Sequence, residues 1–349
     1  MKKQKQNKQN SILNKECSIF ICCILLCALM CVSLFTVCGC GCSAAGSGET
    51  SVHTFFVENS DGTYTYGELV LPAGYEKASC PLVVMSHGIY GTMNSGGAQE
   101  LARRLADSGV AAVRVDFNRF TADYVESIAD ADGSGSVKAF VSDNSDVDLK
   151  DTSVRTNEYT ISEMIESNLL AIGFAEEKYN IDSDRIGLYG RSFGGRLSMA
   201  MGNESSGGID YKSMFLIAPA GNEYALIHYI GGEKKWNELR RAAEQASEAD
   251  TVCQRNGLIF SPKWFEDYYR YIPSLTGDGF GDKPVVLYYN TKDTVVEPET
   301  SLDCARAYSN IEIHKVTSDN NHGYEMSFKD SALKEEIMNR VVELFVETL

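Results

Sequence analysis

Three polar residues have the types, order and surroundings that nucleophilic catalysis requires: Ser192, Asp293 and His322. Ser192 lies within Gly190-Arg191-Ser192-Phe193-Gly194-Gly195. The residues before it, Arg185-Ile186-Gly187-Leu188-Tyr189, read as a short apolar strand. Leu197, Met199, Ala200 and Met201 after it carry a helical pattern. A Gly-x-Ser-x-Gly held between a strand and a helix puts its serine on a sharp, strained turn. The hydroxyl then stands exposed at the positive end of the helix. Gly190 and Gly194 remove the side chains that would collide as the chain reverses. In a different setting the same residues form a Ser/Gly-rich cap, where Ser192 only satisfies backbone N–H groups.

A serine hydroxyl is a weak nucleophile at neutral pH and needs a base within hydrogen-bond reach. The chain offers five histidines. His53 falls in the first strand pattern, His87 ends a strand before glycine, His228 lies in an irregular central segment, and His314 sits inside a late strand. His322 belongs to Asp319-Asn320-Asn321-His322-Gly323-Tyr324, a polar loop between the last strand and the last helix, and is the best-placed base. The base in turn needs an acid to fix its tautomer. Asp293 follows the strand Val285-Val286-Leu287-Tyr288-Tyr289 in a polar turn. Glu223 is its rival, and Asp303 is weaker because it reads as helical.

The elements that must position these residues follow from periodicity. Strand patterns cover 52–57, 64–71, 81–86, 110–115, 214–217, 284–289 and 311–316. Helical patterns cover 98–107, 158–179, 300–308 and 327–349. Such alternation predicts an α/β fold with a mainly parallel sheet covered on both faces, and the first two strands, joined by an Asn-Ser-Asp-Gly turn, predict an antiparallel edge. Residues 118–155 are Asp- and Ser-rich and too long for a bare loop, so they should carry local structure. Within them, Asp130-Ala131-Asp132-Gly133-Ser134-Gly135 begins like a calcium loop, but Val141 stands where a closing glutamate belongs. A solvated acidic turn is the better reading.

The order Ser192, Asp293, His322, with the His87-Gly88 turn, resembles the α/β-hydrolase superfamily. The resemblance runs from about residue 64 to the C-terminus, apart from 221–282. Ser86-His87-Gly88-Ile89-Tyr90-Gly91-Thr92 and the serine turn are similar to the dienelactone-hydrolase-like and acyl-esterase or serine-aminopeptidase-like groups. Dienelactone hydrolases proper use a cysteine nucleophile, so Ser192 points to ester, thioester or amide substrates. The resemblance implies an oxyanion hole made by the N–H groups of Ile89 and Phe193; His87 and Asp116 are read as structural, and no Gly-rich dinucleotide fingerprint follows an early strand, so no cofactor is expected. The resemblance also implies that 221–282 caps the site. The cap's Trp236, Trp264, Phe265, Tyr268, Tyr269 and Tyr271 either line an acyl pocket or pack among themselves.

The N-terminus reads as an export signal. Five lysines within residues 1–16 precede an almost unbroken apolar run over 19–37 and a small-residue exit. Val37-Cys38-Gly39-Cys40 resembles a bacterial lipoprotein box with Cys40 as the lipidated residue. Cys42 and an uncleaved membrane anchor remain as alternatives. This divides the chain into residues 1–46, a leader or anchor with its linker, and a hydrolase domain over 47–349, tethered outside the cell. Eight of the eleven cysteines lie at or before Cys42, and none has zinc-ligand spacing near histidines, so no metal is expected. Pairing among Cys80, Cys253 and Cys304 stays open. A net charge of -16 argues against nucleic acid as a partner. The expected partner is a small ester or acyl compound. A peptidase, or a binding protein on a hydrolase scaffold, is the alternative, and the sequence does not speak to oligomeric state.

Overall fold

The computed structural model describes residues 49–349 apart from 132–138, 143–146, 148, 150, 152, 157–158, 247–251, 255–257 and 328–330. The leader, Cys40 and most of the calcium-like segment lie outside the described residues. In chain order the elements are β1 (Ser51–Glu58), β2 (Tyr64–Leu71), β3 (Cys80–Ser86), α1 (Ala98–Asp107), β4 (Ala111–Val115), β5 (Arg119–Phe120), α2 (Ala122–Ala131), β6 (Ala139–Ser142), β7 (Arg155–Thr156), α3 (Ile161–Lys178), β8 (Ile181–Arg191) and α4 (Phe193–Asn203). There follow β9 (Met214–Ile217), α5 (Ala225–Ile230), α6 (Glu233–Gln245), β10 (Val252–Gln254), β11 (Leu258–Phe260), α7 (Pro262–Arg270), β12 (Val285–Asn290), α8 (Pro298–Ala305), β13 (Ile311–Val316) and α9 (Ala332–Thr348).

Nine strands follow the order β13-β12-β9-β8-β3-β4-β2-β1-β6. From β13 to β4 every pairing is parallel, and from β4 to β6 every pairing is antiparallel. The antiparallel margin is as expected, but its outermost described strand is β6, from the acidic stretch 118–155. Side-chain alternation explains the two-faced burial. On β3, Leu82 and Val84 pack with α3 and α4 on one face, while Val83 and Met85 pack with α1 and α9 on the other. A strand buried on both faces needs this unbroken apolar run. Helix α3 begins where its cap dictates. Thr160 accepts from the Glu163 N–H, and the Glu163 carboxylate accepts from the Thr160 N–H, starting α3 three residues later than its periodicity predicts.

The segment 221–282 is helical as expected, with an unexpected short hairpin, β10–β11. Its aromatic residues form a core: Trp236, Trp264, Phe265 and Tyr268 are at most 3% exposed, with ring centroids 5.0–6.2 Å apart around Trp236. Burying an aromatic side chain stabilises by about 2–3 kcal/mol, so this packing accounts for the aromatic content. Cys80 and Cys304 are both buried free thiols; the side chain of Cys253 lies outside the description.

Candidate active site

Parallel pairing brings the carboxyl ends of β3, β8, β9, β12 and β13 to one edge of the sheet, since Ser86 is level with Gly190, Arg191 with Ile217, and Asn290 with Val316. The loops leaving this edge carry Ile89, Ser192, Asp293 and His322, and Phe193 opens the helix that follows Ser192. These loops also carry the strain. Six of the seven described non-glycine residues with positive φ are here: Tyr90, Ser192, Ala218, Asn321, Tyr324 and Glu325. Backbone strain of this kind costs about 1–3 kcal/mol per residue and persists only where the surroundings enforce it.

Ser192 joins β8 to α4 at φ 57° and ψ -124°. Three backbone bonds hold it there. Its N–H donates to the Ile217 carbonyl at 2.8 Å, and its carbonyl accepts from the Gly195 and Ala220 N–H groups at 3.0 Å each. A Cβ at position 194 would lie 2.1 Å from the Ser86 carbonyl oxygen, so only glycine lets α4 approach β3 this closely. Gly88 faces Ser192 in the same way: a Cβ there would stand 3.2 Å from the serine Cβ. The turn after Gly88 closes with the Gly91 N–H on the Gly88 carbonyl at 3.0 Å, Tyr90 taking the positive φ of 62°. This leaves the Ile89 N–H outside the turn's own bond. The Phe193 N–H opens α4, where helical residues have no intrahelical acceptor.

His322 and Asp293 meet. The His322 Nδ1 lies 2.7 Å from the Asp293 Oδ2, and the carboxylate is fully buried. The other oxygen, Oδ1, accepts from the Val295 and Val296 N–H groups at 2.9 and 3.0 Å. Tyr324 donates to Oδ2 at 3.3 Å, and burial, reinforced by the Asp293 charge, raises the phenol so that it stays a neutral donor. An ionised carboxylate can only accept, so the imidazole proton sits on Nδ1 and Nε2 is left as an acceptor. That Nε2 is buried and has no hydrogen-bond partner among the described residues. Ser192 and His322 line two cavities together. One, about 170 Å³, has Ser86, His87, Ser95 and Arg191 in its wall; the other, about 280 Å³, is mostly apolar, with Phe193, Leu226 and Val296.

Two of the alternatives, Asp303 and His87, are engaged elsewhere. Asp303 accepts from Asn222 at 3.0 Å and pairs with Arg306. His87 is held through both ring nitrogens: the Phe117 N–H donates to Nε2 at 3.2 Å, which leaves Nδ1–H to donate to the Gly88 carbonyl at 2.8 Å. Its ring orders the loop. Asp116 is buried and accepts from the Asn118 N–H at 3.0 Å, fixing the end of β4.

Four residues that sequence reasoning missed support this arrangement. Asn290, fully buried, donates to the Ser318 and Asn321 carbonyls at 2.9 and 2.7 Å and accepts from the Ser318 and Lys292 N–H groups at 3.0 and 3.1 Å. It ties the Asp293 turn to the His322 loop. Arg191 donates to the His322 carbonyl at 2.6 Å. Arg114, paired with Glu68, reaches the Met93 carbonyl and Asn94 Oδ1 at 2.9 Å each and holds the loop after β3. Arg196, fully buried on α4, donates to the carbonyls of Ala220, Asn222, Tyr268 and Tyr271 at 2.6–3.0 Å, its guanidinium 3.9 Å over the Tyr268 ring. Arg196 thereby fastens the 221–282 segment to the helix that follows Ser192. Its one legible signal was a cation in an otherwise apolar helix pattern.

No protein-family model matches the sequence, and no curated protein matches it. Solved structures do resemble its fold. Est1E from Butyrivibrio proteoclasticus is 18% identical with a TM-score of 0.54, over 84% of this chain and 98% of that one. The esterase domain of a Rhodothermus marinus protein is 15% identical with a TM-score of 0.56, over 85% of this chain and 99% of the other. Pyrococcus horikoshii acylaminoacyl peptidase is 15% identical with a TM-score of 0.56, over 87% of this chain and 42% of its own length. Sheet order, the loops at the carboxyl edge and these likenesses together give the chain the α/β-hydrolase fold.

Proposed function

We propose that this protein is a serine hydrolase of carboxylic esters acting through Ser192, Asp293 and His322. The observation that carries the reading is the 2.7 Å Asp293–His322 pair, whose buried Nε2 has no hydrogen-bond partner among the described residues and whose histidine lines two cavities together with Ser192. Ser192 Oγ attacks the ester carbonyl carbon while Nε2 takes its proton, and Asp293 stabilises the imidazolium. The Ile89 and Phe193 N–H groups receive the oxyanion, each worth about 3 kcal/mol in the transition state. His322 then returns the proton to the departing alkoxide, and a water that it deprotonates releases the acid from Ser192. Hydrogen bonds between nucleophile and base are often long before substrate arrives, which suits an Nε2 still without a partner. The apolar cavity of about 280 Å³ suits the acyl group, and the more polar one the leaving group. Est1E has been solved with ferulic acid bound, an aromatic carboxylic acid of the kind an ester hydrolase releases.

In the same proposal, residues 1–46 export the chain and tether it outside the cell, with Cys40 as the lipid-bearing residue. Among the described residues no helix is long and apolar enough to cross a membrane, so this rests on the leader's pattern. The test is hydrolysis of p-nitrophenyl esters by the full-length protein, beside Ser192→Ala and His322→Ala. Turnover abolished in both folded variants supports the reading. Turnover of aminoacyl amides but not esters would make it a peptidase, and no turnover of either would favour a binding protein. Metabolic labelling with radioactive palmitate, lost in Cys40→Ala, tests the tether.

A further inference from the structure

A second cavity adjoins the apolar one beside Ser192. It measures about 490 Å³ and lies against α6, with Ile230, Leu239 and Phe260 as its apolar wall and Lys235 and Glu238 toward solvent. Tyr90 is the one described residue that lines both cavities. It is a bulky side chain held at a φ of 62°, a conformation such residues adopt only when their surroundings impose it. Its ring faces that of Tyr229 on α5, with centroids 6.2 Å apart. Tyr229 lines the cavity at Ser192, and its neighbour Ile230 lines the second one. The ring pair therefore stands where the linings of the two cavities meet.

We propose that Tyr90 is a specificity-determining residue, a partition that confines the acyl group to the cavity at Ser192 and closes off the space beyond. The proposal rests on the ester-hydrolase reading. Its position follows from the loop: Tyr90 comes directly after Ile89, so one turn supplies both the oxyanion N–H and the end wall of the acyl site. Capacity sets the expected substrates. At about 30 Å³ per water-sized group, a cavity of 280 Å³ takes about nine heavy atoms. That is an octanoyl chain, or an aromatic ring with a short linker. Cavities of 280 and 490 Å³ joined together would take about 25, enough for a hexadecanoyl chain. The occupant is thus a medium-chain or arylalkanoyl ester in the natural protein and a long-chain ester once the partition is removed.

The test compares kcat/KM for p-nitrophenyl octanoate and hexadecanoate across full-length variants whose folding is checked by circular dichroism. In the wild type the hexadecanoate-to-octanoate ratio should be about 0.01 or less. Tyr90→Ala should raise that ratio at least tenfold. Tyr229→Ala should raise it in the same direction from an element outside the oxyanion loop, and so decides the matter if Tyr90→Ala loses its fold. Adding Ala242→Trp, which puts an indole into the second cavity, to whichever variant gains should lower its ratio toward the wild-type value. A wild type that cleaves both esters equally well overturns the partition. So does an unchanged ratio in folded, active variants. A wild type inactive on every ester overturns the ester reading and the partition with it.

Discussion

Asn290→Ala removes the clasp between the two loops that carry Asp293 and His322. Its side chain makes four hydrogen bonds, two given and two received, with distances of 2.7–3.1 Å and no exposure to solvent. Each such bond contributes about 1 kcal/mol net, so the change should destabilise the fold by about 4 kcal/mol. A domain of this size has about 5–15 kcal/mol in hand, and the variant should remain folded at 25 °C. Catalysis should suffer separately. The Ser318 and Asn321 carbonyls lose the donors that fix the turn before His322, and a 1 Å misplacement of a reacting group costs about 100-fold in rate. Urea unfolding reads the first effect and kcat/KM on a p-nitrophenyl ester the second. Tyr324→Phe is the graded companion. It removes the hydroxyl that accepts from the Asn290 N–H at 2.7 Å and donates to Asp293 at 3.3 Å, and it should cost about 1–2 kcal/mol. Asn290→Ala within 1 kcal/mol of wild type and within threefold in kcat/KM would refute the clasp.

Arg196→Met leaves the Ala220 carbonyl and three carbonyls of the 221–282 segment without their donor; it should cost about 3 kcal/mol or more and open that segment to limited proteolysis before the sheet, read by mass spectrometry of the fragments. Burial pushes the Cys80 thiol up to about 11 and the Cys304 thiol up to about 12, so neither should react with a thiol reagent at pH 8 until the protein is unfolded, as thiol titration with and without urea would report. Lys212 and Lys283 hold the Asp210 carboxyl down at about 2 from the ordinary 3.8, so its contribution is complete above pH 4 and lost as pH falls toward 2. Because Asp210 is largely exposed, Asp210→Asn should cost under about 1 kcal/mol at pH 7, with the gap to wild type closing in acid.

The fold was legible because its signal is periodic. Strands such as Tyr64–Leu71, Met214–Ile217 and Ile311–Val316 fall on their predicted residues, since the alternation and apolar runs that a sheet core demands are local patterns. The acidic stretch 118–155 was not, because β6 is a strand through its pairing with β1 and not through its own composition. At the site, the Ser192 turn was readable from glycine spacing. Asp293 was preferred to Glu223 and Asp303 for its place in the turn after the strand at 285–289, and the structure brings Asp293 to His322. Asn290, Arg114 and Arg196 escaped notice because a buried polar residue is explained only by its partners, and most of these lie 20 to 75 positions away in the sequence. Tyr90 was read only as part of a glycine-rich turn, and its two-sided position depends on an insert that enters more than a hundred residues later.

The central claim is that Ser192 is a nucleophile activated by His322. Its most direct test is covalent labelling of the full-length protein with a fluorophosphonate, followed by peptide mass spectrometry. The account predicts one adduct, on the peptide containing Ser192, absent in Ser192→Ala and slowed at least 100-fold in His322→Ala. An adduct on another residue, or folded wild-type protein that stays unlabelled, would contradict it.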